Sequence, residues 1–584
     1  MNQTRTLLIF AWLMVAVMLW MEWRKEANVQ AAPDLPVAAE VAGSDAVPSS
    51  VPSSSAAVPD ASTVPIAPPA ADGSVPSATA SASPATGSDA VTVVTDVLRL
   101  TLDRGNVVDA ALLAYPQTRD EDSPPVKLFD TDPSRWYAAQ SGWVSQANAA
   151  PTHEAGFVAE TGEREYRLDE AGDEVVVPFV WQGPDGVTIR RTITVRRGAY
   201  AIDVRDTVIN AGNTPWQGHI YRQLSRVPPN ISRGMTNPES FSFNGATWYS
   251  DEQGYTRRPF AKFLNEGAIN LQATESWTAI LQHHFFTAWI PRADDRTVIS
   301  VHEDGPRHLV RQLGPGLSVA PGQQDSVDAR LWVGPKLVEQ IKAQGVRGFD
   351  RAVDYSRFSA FAFLGEWLFW LLDKVHSLVK NWGWAIVGLV ILIRIAMYPL
   401  SAAQYKSMAK MRKFQPRMAQ LKERYGDDKQ KFQMAMMELY KKEKINPVGG
   451  CLPILLQMPI FFALYWVLLE SVELRHAPWM GWIQDLTAPD PFFILPIINI
   501  AVMWATQKLS PMTGMDPTQQ KIMQLMPVIF GAIMIFFPAG LVLYWVTNGS
   551  VGLAQQWWFL RRYSGDSGKP DQPSKPKPPK PAKA

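Results

Sequence analysis

Between residues 382 and 560 the chain passes through four long apolar stretches, 382–400, 449–469, 491–507 and 522–560, that together hold one charged residue, Arg394. About 20 apolar residues is the length at which a helix crosses ~30 Å of hydrocarbon, where the backbone must satisfy its own hydrogen bonds. The last run is too long for one crossing, and "FFPAGL" at 536–541 supplies a break, so it predicts two helices joined by a tight turn. Near the N-terminus, "TRTLLIFAWLMVAVMLWMEW" is followed only late by a small-x-small sequence, "VQA" at 29–31. It reads as an uncleaved anchor over residues 1–23, a cleaved signal peptide being the alternative. The sum is a polytopic α-helical membrane protein of six spans, with a five-helix core in residues 381–560.

Net charge is only +1, but it is segregated. Residues 401–446 carry twelve Lys/Arg against five Asp/Glu, residues 561–584 seven against two, and residues 470–490 four acids against one arginine. Basic loops stay in the cytoplasm. This places the 401–446 loop, the 561–584 tail and the N-terminus in the cytoplasm, and residues 24–357 in the periplasm of a cell with an inner membrane. Residues 24–90 are an Ala/Pro/Ser-rich tether too poor in large apolar groups to fold.

In residues 91–340 short alternating runs such as "GVTIRRTITVRRGAYAIDVRDTVINAG" are broken by Gly, Asn and Pro, the pattern of an antiparallel β-sandwich. Its Trp136, Trp143, Trp181, Trp216 and Trp248 suit a sugar or peptide cleft or, more simply, a core. No acid pair or Ser/His/Asp set marks an enzyme, so no catalytic residue, metal or cofactor is expected. A single cysteine excludes a disulfide framework and a Cys-based zinc site. Residues 341–380 connect this domain to the membrane. Within them "FSAFAFLGEWLFWLLDKVHSLVK" puts Glu366, Asp373, Ser377 and Lys380 on one stripe of a helix suited to the headgroup interface, with Trp370 out of place.

Arg394 has no Asp or Glu at membrane depth to pair with. It stands about 9 Å by helix rise from Leu400, so a snorkelling side chain is one reading. An arginine left in lipid costs roughly 2.5–3.5 kcal/mol on insertion scales, and a water-filled concavity lined by Gln457, Asn499, Gln524, Asn548 and other polar span residues avoids that cost. A hydrated cation without a resident counter-ion is a site for a visiting anion.

In the 401–446 loop Met411, Phe414, Met418, Leu421 and Tyr425 recur at helical spacing, "YGDD" supplies a stop and an N-cap, and Phe432, Met436 and Leu439 resume the pattern. This predicts a helical hairpin, basic outside and Met-rich inside, with Pro416 kinking its first arm. Met-rich surfaces adapt to varied partners.

"RIAMYPLSAAQYKSMAKMRKFQP", "YGDDKQKFQMAMMELYKKEKINPVGGCLPILLQMPIFFALYWVL" and "MDPTQQKIMQLMPVIFGAIMIFFPAGLVLYWVTN" resemble the YidC membrane-protein insertases of Gram-negative bacteria over about residues 353–562. The resemblance implies a protein that inserts nascent membrane proteins, alone or beside the Sec translocon. Its partners would be the ribosome, the signal-recognition-particle pathway and membrane lipids. It makes Arg394 the groove arginine and Tyr544 and Trp545 a substrate-contacting pair. Trp545 stands where the family usually has tyrosine, and Val390 where it often has a polar residue. A secondary transporter would show coupling carboxylates at midplane, which are absent; a periplasmic carbohydrate-binding protein with an elaborate anchor is the other alternative.

Overall fold

The structure, a computed structural model, describes residues 90–564 except 232–238, 240–241, 264–266, 354, 356–358, 426–427, 443–451 and 510–516. The expected N-terminal anchor, most of the tether and the tail beyond residue 564 lie outside the described residues.

Alternation in the sequence becomes two packed sheets of ten and nine strands. Strand Val187–Arg196 shows why: Val187, Ile189, Arg191, Ile193 and Val195 are buried while the residues between them are not, the period-2 pattern of a pleated strand with one face on a core. In the nine-stranded sheet Phe285–Pro291, Gln324–Pro335, Ala201–Asn210, Val187–Arg196 and Glu174–Gln182 lie side by side. In the ten-stranded sheet the order is Ile269–Ala273, Thr297–Asp304, Arg307–Val319, Trp216–Arg226, Tyr137–Val144. Of the five tryptophans, Trp143, Trp216 and Trp248 are core, the first two packed edge to face at 5.3 Å. Register places Arg191 opposite Asp206, and the two form a fully buried bidentate pair, 2.7 Å at each bond.

Ten helices follow among the described residues: α1 (Val338–Ala343), α2 (Ser359–Val379), α3 (Trp382–Ala396), α4 (Tyr398–Lys413), α5 (Gln415–Tyr425), α6 (Lys429–Lys442), α7 (Leu452–Glu470), α8 (Ile494–Leu509), α9 (Pro517–Met534) and α10 (Ala539–Ser564). The break predicted at 536–541 falls between α9 and α10. Proline explains two others. Pro399 and Pro416 each sit second in a helix, where the missing N–H is harmless, whereas either would clash with the carbonyl four residues back in a continuing helix. So the first arm of the 401–446 hairpin is broken at Phe414 rather than merely kinked, and α3 meets α4 at a 65° bend. No single helix among the described residues is long and apolar enough to cross a membrane by itself; the bent pair Trp382–Ala396 and Tyr398–Tyr405 is, taken together.

Helix α2 differs from its expectation. Ala362, Leu368, Phe369 and Leu372 are buried, on the side packed against α7 and α3, while Phe363, Trp367 and Trp370 form a second, exposed apolar stripe. Trp370, out of place on a two-faced helix, belongs to this stripe.

The sandwich and the helices are joined through the end of α7. Lys336, just past the last strand, pairs with Glu470 at 3.0 Å with both side chains buried. His283 Nε2 contacts the Leu469 carbonyl at 2.8 Å, one of the carbonyls a helix end leaves without an internal partner. Arg475 donates to the carbonyls of Pro116 and Gln117 at 2.8 and 2.9 Å.

Candidate functional site

Arg394 lies in the last turn of α3, half-buried against α10. Its Nε donates to Asn548 Oδ1 at 2.8 Å and its Nη2 to the Asn548 carbonyl at 2.9 Å. It fits because residue 552 is glycine: a Cβ there would stand 3.2 Å from Nη2. Tyr405 of α4 donates to the Gly552 carbonyl at 3.0 Å and closes the arrangement. No carboxylate stands within ion-pair reach of Arg394 among the described residues, and its electrostatic neighbours are the hydroxyls of Tyr405 and Tyr544. The arginine is therefore not unpartnered, as the sequence suggested, but its partners are neutral dipoles. They orient the guanidinium without cancelling its charge.

Further along α10, Tyr544 is buried and its hydroxyl is hydrogen-bonded by Gln457 of α7. Trp545 packs edge to face between Phe461 of α7 at 4.9 Å and Phe530 of α9 at 5.1 Å. Its indole N–H is enclosed and has no acceptor among the described residues. The result is a wall from Arg394 through Asn548 to Tyr544 and Trp545 on α10, faced by Gln457 and Phe461 on α7.

Two expected lining residues stand apart. Asn499 is buried in α8, its amide directed to Met503 Sδ at 3.7 Å on its own helix. Gln524 is exposed on α9, and no bond ties it to Arg394. Helical spacing alone could not say which neighbour each would face.

The family model described as "60Kd inner membrane protein" matches residues 374–566, and that described as "YidC periplasmic domain" matches residues 90–371. A membrane protein insertase YidC of Xanthomonas euvesicatoria pv. vesicatoria is 58% identical over 96% of this chain and 98% of its own. One of Stenotrophomonas maltophilia is 59% identical over 97% and 98%. The chain belongs to the YidC family. A crystal structure of an active YidC insertase, 20% identical over 80% of this chain and 92% of its own, superposes with a TM-score of 0.34, too distant a likeness to build on.

The YidC assignment leaves the site's departures to be read from geometry. Trp545 brings a large indole ring and an N–H with no acceptor among the described residues. Val390, buried with Leu389 on α3, keeps the stretch before Arg394 apolar. Gly552 and Tyr405 are the residues that sequence reasoning left without a role, and Asn548, expected only in the lining, holds the arginine directly. The available signal was the pair of small residues Gly549 and Gly552, spaced to admit neighbouring helices closely; a Cβ at 549 would meet Val502 of α8 at 2.9 Å.

In the 401–446 hairpin α5 packs along α6, and Asp428 caps α6 by accepting from the N–H groups of Gln430 and Lys431 at 3.1 Å each. Met418 is buried, with the Tyr440 hydroxyl 3.9 Å from its sulfur. Phe414, Leu421, Tyr425, Phe432 and Met436 are half-buried; the side chain of Met411 lies outside the described residues. Met434 and Met437, which lie off the predicted stripe, are exposed. With residues 434, 436 and 437 at 100° steps, the three methionines cannot share one face.

Proposed function

We propose that this chain is a membrane-protein insertase in which the α10 wall and the facing side of α7 form a hydrophilic groove open to lipid, with Arg394 as its cation. A nascent span gains about 0.3–0.6 kcal/mol per central Leu, Ile, Phe or Val on entering lipid, so the obstacle is its polar flank. Arg394 neutralises an acidic flank in transit. The membrane potential adds roughly 2.3 kcal/mol per 100 mV for each negative charge moved outward. Gln457 and Trp545, backed by the buried Tyr544, then offer the emerging helix a surface that is polar at some atoms and apolar at most. The exposed methionines of α6 and the basic loop receive the chain from the ribosome or the signal-recognition-particle pathway, and the insertase works alone or with the Sec translocon. Six spans with both termini cytoplasmic complete the reading.

The observation that carries it is the pairing of Arg394 with Asn548 alone. A charge held in place by neutral groups keeps its capacity for an incoming carboxylate. Insertion assays across substrates of graded acidity test it: Arg394→Ala is expected to lower insertion about ten-fold for substrates with acidic translocated segments and little for neutral ones, with Arg394→Lys restoring most of the loss. Equal insertion by wild type and Arg394→Ala across the panel would end the electrostatic reading.

A further inference from the structure

Strand Arg307–Val319 of the ten-stranded sheet carries a second cation without an acid. Arg311 is only 7% exposed. On the face turned away from the other sheet, its Nε donates to Gln223 Oε1 at 2.9 Å, and the Gln223 amide donates to Gln140 Oε1 at 2.8 Å. The terminal nitrogens of Arg311 have no acceptor among the described residues, yet they are not among the sealed polar atoms. They are held rigidly and remain within reach of solvent.

The register of the sheet gathers further groups on this face. Arg311 stands between Gln223 on one neighbouring strand and Ser300 on the other. Arg307, four residues earlier on the same face, makes no ion pair and lies with its guanidinium carbon 4.4 Å over the Trp136 ring, which is fixed by a bond from its indole N–H to Ser225 Oγ at 3.2 Å. Across the sheet, the Tyr221 hydroxyl contacts the backbone N–H of His153 at 2.9 Å and its Nδ1 at 2.6 Å. Burial, with Arg311 and Arg307 nearby, lowers the His153 imidazole to about 4, so it is a neutral polar group at physiological pH. Asp304 acts on Arg311 only at a distance, forming no ion pair among the described residues, and Glu303 Oε1 lies 3.4 Å from His308 Nε2.

Arg191 is matched by Asp206, and buried Arg222 and Arg226 spend terminal nitrogens on the Asp328 carbonyl and Gln282 Oε1; Arg311 spends only its Nε. Where the match is missing and terminal donors face outward, the fork suits a planar two-oxygen anion. We propose that this outer face of the ten-stranded sheet binds a carboxylate-bearing ligand, gripped by Arg311 from a rigid seat and by Arg307 at the rim, with Trp136 packing its apolar part. A sugar acid and an acidic peptide side chain both carry that chemistry.

The full-length protein in nanodiscs, titrated calorimetrically, separates these sources. One arm uses glucuronate with glucose as its neutral counterpart, and the other a blocked tri-glutamate peptide with tri-glutamine. At least one acid is expected to bind where its neutral counterpart does not. Arg311→Gln should weaken it by about ten-fold or more, as loss of a charge-assisted contact implies, and Arg307→Gln by less. Heat unfolding of each variant reports folding; Arg307, which makes no hydrogen bond, keeps the test valid should Arg311→Gln fail to fold. Acids that bind no better than their neutral counterparts, or acid binding that survives in every variant that folds, overturn the proposal.

Discussion

Arg191 and Arg394 solve the same problem in opposite ways. In the sandwich Arg191 is sealed from solvent, and every nitrogen has a protein acceptor: both oxygens of Asp206, and the carbonyls of Gly105 and Ser141 at 3.2 Å. The Trp143 indole completes the set by donating to Asp206 at 2.8 Å. In the helical region Arg394 is half-buried and oriented by one asparagine. The difference teaches what each charge is for. A cation with a resident carboxylate is part of the architecture and unavailable to anything else, whereas one braced by neutral dipoles keeps its charge for a visitor.

Removing one member of a sealed pair is the severest way to break this comparison. Arg191→Met strands the Asp206 carboxylate in the interior and is expected to cost about 3–5 kcal/mol, enough to unfold the periplasmic domain. Arg394→Ala should leave the folded state within about 1 kcal/mol of wild type, because it strands only a neutral amide that water can reach. Circular dichroism melting of the two variants reads the contrast directly; similar losses in both would show that Arg394 too is architectural.

How much of this contrast was visible in the sequence depends on the distance between partners. The inward position of Arg191 follows from alternation along one strand, but its match with Asp206 requires the hairpin register. The break between α9 and α10, the stop at "YGDD" and the cap at Asp428 are local and were legible. The bond from Arg394 to Asn548 joins residues 154 apart and that from Lys336 to Glu470 residues 134 apart, and no periodicity encodes such a meeting. The acidic loop shows the resulting error of emphasis. Glu470 sits in a buried ion pair, and Asp490 caps α8 by accepting from Leu495 N–H at 2.7 Å while receiving the Trp482 indole at 3.0 Å. Acids that read as a topology signal are also structural parts.

Glu473, in the same loop, sharpens the comparison with a buried carboxyl that has no cation within ion-pair reach among the described residues. One of its carboxylate oxygens is sealed in the interior without a hydrogen bond. Burial first, then Asp373 and Glu339, push its carboxyl up to about 7, against the opposing pull of backbone N–H groups. A carboxyl raised in the folded state stabilises the fold only while protonated. Stability from this group is present below about 4.5 and is lost as pH rises towards 7, a swing of about 2 kcal/mol after allowing for partial solvent screening. Buried His283 and His284, both lowered chiefly by desolvation, act the other way and lose stability as pH falls below 6.5. Glu473→Gln is therefore expected to raise the unfolding midpoint at pH 8 and to match wild type near pH 4.5; a constant difference across that range would contradict the assignment.

Asn548→Asp converts one solution into the other with a single atom changed. It places a carboxylate where Asn548 Oδ1 now accepts from Arg394 at 2.8 Å, giving the arginine a resident anion like that of Arg191. On the fold the effect should be small, within about 1 kcal/mol, since desolvation of a half-buried pair offsets much of its attraction. On function it should mimic loss of charge: insertion of substrates with acidic flanks falls several-fold while neutral substrates are spared, although the arginine itself is untouched. That outcome separates the net charge offered to a passing chain from the mere presence of a guanidinium, which Arg394→Ala cannot do. If Asn548→Asp inserted acidic substrates as well as wild type does, the neutrality of the partner would be incidental, and the contrast between the two arginines would reduce to their depth of burial.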